Sequence, residues 1–246
     1  MISYARTDIG RARRINQDYV FASSEPIGTL SNLFIVADGM GGHKAGDYAS
    51  RFAVEQIVAC ASEMHVSDPV IFLRKAIEKT NSLLYDEAAG SPDLEGMGTT
   101  LVVATICQNV LYVANIGDSR LYLLRDDLEQ VTRDHSLVEE MVARGKIERG
   151  SEAYRNQKNI LTRAVGISTN VEPDIFEIPL QECDVFLMCS DGLTNMVDDE
   201  MISKILKTTD TLEEQTENLI NQANENGGKD NIAVLLVEPQ ISEVRV

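Results

Sequence analysis

The chain of 246 residues contains no tryptophan, three histidines and four cysteines. No two cysteines have the CxxC spacing, and we interpret the surroundings of all four as apolar. This pattern predicts small buried thiols in a reducing compartment and disfavours disulfides and zinc sites. The cysteines are Cys60, Cys107, Cys183 and Cys189.

Basic residues and long apolar runs are also scarce. There are 22 Lys and Arg against 39 Asp and Glu, so the net charge is -17. Nucleic acids and anionic membranes repel such a protein, and neither is expected as a partner. No apolar run approaches the roughly 18 residues of a membrane-spanning helix, and Met1 to Arg6 lack the apolar core of a signal peptide. We therefore expect a cytoplasmic protein with one domain.

Several common catalytic patterns are missing. A dinucleotide fingerprint starting at Gly39 would need glycine where Lys44 stands, and a P-loop would need lysine where Asp47 stands. No cysteine is followed by arginine at the spacing of a cysteine phosphatase, and Asp38 lacks the second aspartate of an aspartyl-phosphate mechanism. The sequence thus offers no obvious residue for covalent catalysis.

The chain does contain aspartates at the ends of apolar runs. The runs 33–37 and 185–189 each lead to an Asp-Gly pair, and unbroken apolar runs predict strands buried on both faces. Oxygen ligands with little His or Cys nearby suit hard cations, so we predict a magnesium or manganese site. The aspartates are Asp38, Asp118, Asp191 and Asp230.

The pattern of apolar residues predicts long helices and hairpin strands without regular βαβ alternation. Helical spacing predicts a helix over 45–64, and Asp68 followed by Pro69 predicts the start of a second. Capping-box patterns at Ser136 and Thr211 predict two more helix starts. The predicted class is α+β with antiparallel sheets. Strands are predicted at 3–7, 19–23, 100–107, 110–116, 120–124, 128–131, 174–178 and 185–190, and a further helix at 199–207.

Carboxylates in this arrangement predict catalysis by a metal-activated water. Two divalent ions about 3.5–4 Å apart can lower the pKa of a shared water and neutralise phosphate oxygens during an in-line displacement. Asp38 could bridge the two ions. A guanidinium from Arg13 or Arg14 could then bind the phosphate through two hydrogen bonds.

Six motifs in order resemble those of the metal-dependent protein phosphatases of type 2C, bacterial single-domain branch. Any one motif is weak, whereas six in the right order are highly specific. The resemblance runs from about Ser3 to Val237. The motifs are Arg13-x-x-Asn16-Gln17-Asp18, Ala37-Asp38-Gly39-Met40-Gly41-Gly42, Gly98-Thr99-Thr100, Gly117-Asp118-Ser119-Arg120, Cys189-Ser190-Asp191-Gly192 and Gly228-Lys229-Asp230-Asn231.

This resemblance implies an α/β/β/α sandwich, with two antiparallel sheets flanked by helices and the metals in a cleft at one end. The implied single domain covers residues 1–240, with a flap at about 144–167 and a short tail at 241–246. The implied activity is hydrolysis of phosphoserine and phosphothreonine in proteins. Two ions, Mn²⁺ or Mg²⁺, and a weaker third are implied as cofactors. The implied metal ligands are Asp18 (through water), Asp38, Gly39 (through its carbonyl), Asp118 (third ion), Asp191 and Asp230.

The resemblance also assigns Arg13 as the phosphate-binding residue and leaves Arg14 solvated or structural. It implies that Asp38, Asp18 and Arg13 act in catalysis. Implied partners are phosphorylated proteins, including a Ser/Thr kinase and its substrates, and the protein is expected to be a monomer. The rivals are a catalytically weak scaffold that recognises phosphoproteins, and a phosphatase of the same fold that acts on anti-sigma antagonists.

The chain departs from the family pattern in two places. Met40 stands where some members carry a histidine proposed as general acid, so this role is unassigned between His43 and metal-bound water. In the flap, Asn156-Gln157 replaces the His-Pro of bacterial relatives, which leaves substrate preference open. His65 and His135 are interpreted as surface or capping residues.

Overall fold

The structure, a computed structural model, describes residues 1–42, 45–157 and 160–241, without the side chains of 155–157. Its strands form two antiparallel sheets. In chain order the strands are β1 (Ile2–Asp8), β2 (Asp18–Ser23), β3 (Leu33–Met40), β4 (Gly98–Thr99), β5 (Leu101–Cys107), β6 (Val110–Ile116), β7 (Arg120–Leu124), β8 (Leu128–Gln130), β9 (Asp174–Pro179), β10 (Val185–Cys189) and β11 (Ile232–Glu238).

The first sheet has the strand order β1-β11-β10-β7-β8, and the second has the order β2-β3-β5-β6-β9 with β4 paired to β3. Helices cover the outer face of each sheet: α1 and α2 pack on the second, and α6 and α7 on the first. This arrangement confirms the predicted α+β sandwich. The helices are α1 (Ala45–Glu63), α2 (Pro69–Gly90), α3 (Leu137–Ala143), α4 (Glu152–Gln157), α5 (Asp191–Thr194), α6 (Asp199–Leu206) and α7 (Leu212–Glu225).

Strand β3 shows why the apolar run is continuous. Leu33, Ile35 and Ala37 contribute to the core beneath α1 and α2, whereas Phe34 and Val36 contribute to the core between the sheets. Side chains alternate along a strand, so both faces of β3 must be apolar. Asp38 continues the second set, which directs it towards the space between the sheets at the end of their shared core.

Local signals predicted most helix starts. The Asp68 side chain accepts a hydrogen bond from the Ile71 amide, and Thr211 forms a complete capping box with Glu214. At α3 only half of the box forms, because Ser136 caps the Glu139 amide while the Glu139 side chain turns to the flap.

Other local predictions were wrong. Cys183 is exposed rather than buried, in a turn where its φ is 65°. His135 is buried rather than on the surface, and Ser136 rather than His135 caps α3. Helix α4 lies inside the segment 144–167, where no helix was predicted. None of the helices in the described part of the chain has the length and apolarity needed to cross a membrane.

Candidate active site

The centre of the site is the pairing of β2 with β3. Asp18 at the start of β2 lies directly opposite Asp38 near the end of β3. Side chains opposite one another on antiparallel strands are neighbours on the same face, so the two carboxylates lie side by side. Two like charges in such a pair are unfavourable without a cation. The predicted bridging aspartate and the predicted water-holding aspartate are thus brought together.

Hydrogen bonds across the sandwich tie this pair to the other sheet. Ser190, which follows β10, donates from Oγ to Asp18 Oδ2 at 2.6 Å and accepts from the Ala233 amide at 2.9 Å. Asn231, just before β11, accepts from the Gln17 amide at 2.9 Å. The carboxylates of one sheet are therefore held in place by the ends of two strands of the other.

The peptide of Asp38 is fixed by two threonines from the Gly98-Thr99-Thr100 motif. Its amide donates to Thr100 Oγ1 at 3.0 Å, and its carbonyl accepts from Thr99 Oγ1 at 2.9 Å. The chain also passes very close to α1 at this point, since a Cβ on Gly39 would lie 1.9 Å from the Gly46 carbonyl oxygen. Only glycine allows this approach.

The first sheet supplies the remaining aspartates. Asp191 begins α5 directly after β10, and Asn195 donates to its Oδ2 at 2.9 Å. Asp230 precedes β11 and forms an ion pair with Arg13, with Nη2 and Oδ2 2.8 Å apart. The predicted phosphate-binding arginine therefore lies beside a predicted metal ligand, although 217 positions separate them in sequence.

Asp118 lies between β6 and β7 and is nearly buried. Its neighbour Ser119 hydrogen-bonds Thr100 at 2.7 Å, which joins this turn to the threonines that hold Asp38. A cavity of about 100 Å³, lined by Asp118, Asp191 and the Tyr154 side chain among others, lies between the first sheet and the flap. The structure thus places Asp118 close to Asp191, at the side of the site where Tyr154 lies.

Burial and mutual repulsion make the site electrostatically unfavourable in the absence of cations. Burial raises the pKa of Asp18 to about 7, with further increases from Asp191 and Asp230, against a decrease from the Ser190 hydrogen bond. Burial and the charges of Asp18 and Asp191 also raise the pKa of Asp38. Burial, followed by Asp191, raises the pKa of Asp118 to about 8. Repulsion within one cluster is a physical reason for these carboxylates to bind cations.

These shifts predict a pH dependence of stability in protein treated with EDTA. An unfolded aspartate has a pKa of about 3.9, so between that value and about 7 folded Asp18 binds protons that the unfolded chain does not. The free energy of unfolding should therefore fall as the pH rises from 5 to 8. Melting temperatures measured across this range test the sign.

The variant Asp18→Asn is the control. It removes the titration of Asp18 alone. His135, whose pKa is lowered by burial, still contributes to the pH dependence of stability with the opposite sign. The melting temperature of the variant should fall less steeply with pH than that of the wild type. Equal slopes would contradict the prediction.

The residues present fit divalent cations with oxygen ligands. Asp18 Oδ1 is buried and has no hydrogen-bond partner among the residues described. Within the described ranges, no three His, Cys, Asp or Glu side chains form a compact ligand cluster. Carboxylates spaced more widely than this still suit Mg²⁺ or Mn²⁺, because Mg²⁺ sites use one or two carboxylates and retain several waters.

The flap, residues 144–167, is anchored at both of its ends. Glu139 of α3 accepts hydrogen bonds from Arg149 and from the Tyr154 hydroxyl, and Val165 forms a bridge to Thr99. The same Thr99 binds the Asp38 carbonyl, so the end of the flap is connected directly to the site. The structure describes neither His43 nor the side chains of Asn156 and Gln157, so the predictions on general acid and flap chemistry lie outside the described residues.

Comparison with known proteins identifies the class that this sandwich and its carboxylate cleft represent. The family model for protein phosphatase 2C matches residues 10–236. The chain therefore belongs to the protein phosphatase 2C family. This result confirms the resemblance drawn from the six motifs and the prediction of an enzyme, a metal-dependent protein phosphatase.

Similar proteins are bacterial. The serine/threonine phosphatase stp of Listeria monocytogenes is 44% identical over 245 residues, which covers 97% of this chain and 96% of that protein. The S. agalactiae serine/threonine phosphatase structure has a TM-score of 0.89 at 37% identity, covering 96% of this chain and 98% of that one. The PstP catalytic domain, in complex with 2 manganese ions, has a TM-score of 0.84 at 36% identity and 96% coverage of both chains.

Ser190, Asn231 and Gln17 also belong to the recognised motifs, but the sequence indicated no supporting role for them. They form contacts between the two sheets, and nothing local in the sequence shows which strand ends face one another. Thr99 and Thr100 belonged to a recognised motif, yet the motif alone did not indicate that they hold the Asp38 peptide.

Proposed function

We propose that this chain hydrolyses phosphoserine and phosphothreonine in proteins at a binuclear centre of Mn²⁺ or Mg²⁺. The observation that carries the proposal is the convergence of mutually repelling carboxylates, buried or partly buried, from both sheets next to an arginine. The proposed ligands are Asp18, Asp38, the Gly39 carbonyl, Asp191 and Asp230, with Asp118 serving a third ion.

Bound divalent cations would supply two things here, a water of lowered pKa and positive charge against the phosphate oxygens. The protein's contribution is to hold the ligands in place. Thr99 and Thr100 fix the peptide of Asp38, and the Ser190 hydroxyl orients the Asp18 carboxylate. Little reorganisation is then needed when substrate binds, which favours catalysis.

Arg13 is proposed to bind the substrate phosphate. Its side chain is 48% exposed, and Nη2 is bound to Asp230 Oδ2. A guanidinium has five N–H donors, so the group can bind Asp230 and a phosphate oxygen together. The neighbouring Arg14 is exposed and makes no hydrogen bond or ion pair with the part of the chain that is described. This contrast supports Arg13 as the functional arginine of the two.

We further propose residues 1–240 as one catalytic domain, with a tail at 241–246 of which 242–246 lie outside the described residues. Phosphorylated proteins are its proposed substrates, including a Ser/Thr kinase and the targets of that kinase. A monomeric state, a cytoplasmic location and the absence of nucleic-acid and membrane partners remain predictions from the sequence.

The experiment is hydrolysis of a phosphothreonine peptide by the purified chain with Mn²⁺, with Mg²⁺ and with EDTA. We expect turnover with metal and none with EDTA. Arg13→Ala should lower kcat/KM by about 10- to 100-fold through the lost phosphate contact, whereas Arg14→Ala should stay within about twofold.

Absence of turnover in the wild type, together with retained binding of metal and phosphopeptide by calorimetry, would favour the scaffold instead. The presence of every expected ligand disfavours that rival. Equal losses in Arg13→Ala and Arg14→Ala would contradict the assignment of Arg13. A phosphorylated anti-sigma antagonist tested beside the peptide distinguishes the rival that differs only in substrate.

A further inference from the structure

Two adjoining cavities lie next to the catalytic cleft and share an arginine-rich wall. One, of about 540 Å³, includes Asp134, which also lines the small cavity next to Asp118 and Asp191. The other, of about 700 Å³, shares Arg133, Arg163 and Asp174 with the first. We call the two together the arginine groove. It continues from the carboxylate site towards α2.

The charge of the larger cavity of the groove differs from that of the whole molecule. The chain carries -17, yet the larger cavity is lined by Arg74, Arg133 and Arg163 against Glu172 and Asp174. Arg163 forms an ion pair with Asp174 at 2.8 Å, and Arg74 lies 3.5 Å from Glu172. In the larger cavity the two acids are therefore matched by two of the arginines, and Arg133 is left in excess. The acids of the smaller cavity have arginine partners of their own, since Asp134, Glu139 and Glu140 pair with Arg120, Arg149 and Arg144.

Arg133 has no hydrogen bond or ion pair from its side chain to any described residue, and its side chain is exposed. Its backbone, by contrast, is well fixed. The Arg133 carbonyl accepts from the buried Asn115 side chain at 2.9 Å, and two residues later the His135 amide donates to the Gly117 carbonyl at 2.9 Å. The backbone that carries this guanidinium is therefore held in place, and the side chain itself is available to an incoming anion.

We propose that the arginine groove binds an anionic side chain of the phosphoprotein substrate, at a position away from the residue being dephosphorylated. Arg133 is the contacting residue, and its ligand is a carboxylate or a second phosphate. Guanidinium groups bind both through the same pair of parallel hydrogen bonds. The inference rests on the proposed function, because it concerns how the same enzyme selects substrates.

The test compares four phosphothreonine peptides that differ only in one flanking position: glutamate, phosphoserine, glutamine or lysine. p-Nitrophenyl phosphate serves as a substrate that cannot reach the groove. The variants are Arg133→Glu and Arg133→Gln. The matched control is Arg51→Glu on the exposed face of α1, outside the groove. Moving the flanking residue stepwise along the peptide locates the position that contacts the groove.

We expect Arg133→Glu to lower kcat/KM about tenfold for the best glutamate or phosphoserine peptide, mainly through KM. Values for the glutamine peptide and for p-nitrophenyl phosphate should stay unchanged. Arg133→Gln should lower kcat/KM for the same anionic peptide by about half as much on a logarithmic scale. Added salt should weaken the preference of the wild type for the anionic peptides over the glutamine peptide. A lysine-flanked peptide should be hydrolysed better by Arg133→Glu than by the wild type.

The two anionic peptides separate the sources of the negative charge. A loss restricted to the phosphoserine peptide identifies a second phosphate as the ligand, and a loss restricted to glutamate identifies a carboxylate. Equal losses on the anionic and glutamine peptides, or no loss on any, would overturn the groove proposal. Failure of the wild type to hydrolyse every substrate, p-nitrophenyl phosphate included, would instead refute the proposed function.

Discussion

Asp38→Asn is expected to reduce phosphatase turnover by about a thousandfold or more, which corresponds to about 4 kcal/mol of lost transition-state stabilisation. Asparagine has the same shape and preserves the backbone hydrogen bonds to Thr99 and Thr100. What it loses is the negative charge that both proposed ions would share. The loss should therefore appear in kcat measured with saturating peptide and Mn²⁺.

The thermal stability of Asp38→Asn without metal should not fall as its turnover does. Burial and neighbouring charges raise the pKa of Asp38, so ionised Asp38 is unfavourable in the folded protein without metal. A neutral amide at this position would remove that cost, and the variant treated with EDTA should melt at or above the wild-type temperature at pH 8. Stabilisation by added Mn²⁺ should be smaller than in the wild type, because the variant binds metal less well.

A suitable control is Asp126→Asn, which changes an exposed aspartate in the turn between β7 and β8. It should leave both turnover and the response to Mn²⁺ unchanged. Normal turnover in Asp38→Asn would remove Asp38 from the catalytic centre. A large drop in its melting temperature with EDTA would mean that the carboxylate has a structural role instead.

Gly192→Ala is the second substitution with a large expected effect. A Cβ on Gly192 would lie 1.8 Å from the Asn231 carbonyl oxygen, which is backbone and cannot rotate away. Either α5 or the segment before β11 must shift, and these carry Asp191 and Asp230. Misplacement of a catalytic group by about 1 Å can cost a hundredfold in rate, so we expect at least about that loss.

Overpacking of this kind costs about 1–3 kcal/mol, so the melting temperature should also fall by several degrees. Gly90→Ala is the matched control, since nothing lies within 4 Å of a Cβ at that position. It should be as active and as stable as the wild type. If Gly192→Ala were fully active, the close contact between α5 and Asn231 would not matter for the site.

The sequence predicted those features of the fold that depend on neighbouring residues. The apolar run before Asp38 became a central strand because both of its faces are buried in separate cores. Asp68 and Thr211 capped helices as predicted because a cap needs only the next three residues. Four-residue α5 was missed, since a single turn is too short to show helical periodicity.

The parts of the site that were not predicted depend on contacts between distant segments. Neither the Arg13–Asp230 ion pair nor the Ser190–Asp18 hydrogen bond, 172 positions apart, can be read from spacing. Burial of His135 depends on the same kind of contact, since Nδ1 accepts from the Gly117 amide beyond a hairpin. The order of the motifs predicted that the aspartates share one site only because it matched the order found in a known family.

The two-sheet origin of the site affects what an activity assay measures in folding experiments. Asp18 and Asp38 come from one sheet, whereas Asp191 and Asp230 come from the other. A partly folded molecule with one sheet formed would contribute to the circular dichroism signal but would have no complete catalytic centre. Recovered activity after refolding therefore counts only molecules in which the whole sandwich has assembled, which makes it a stricter measure of refolding yield than spectroscopy.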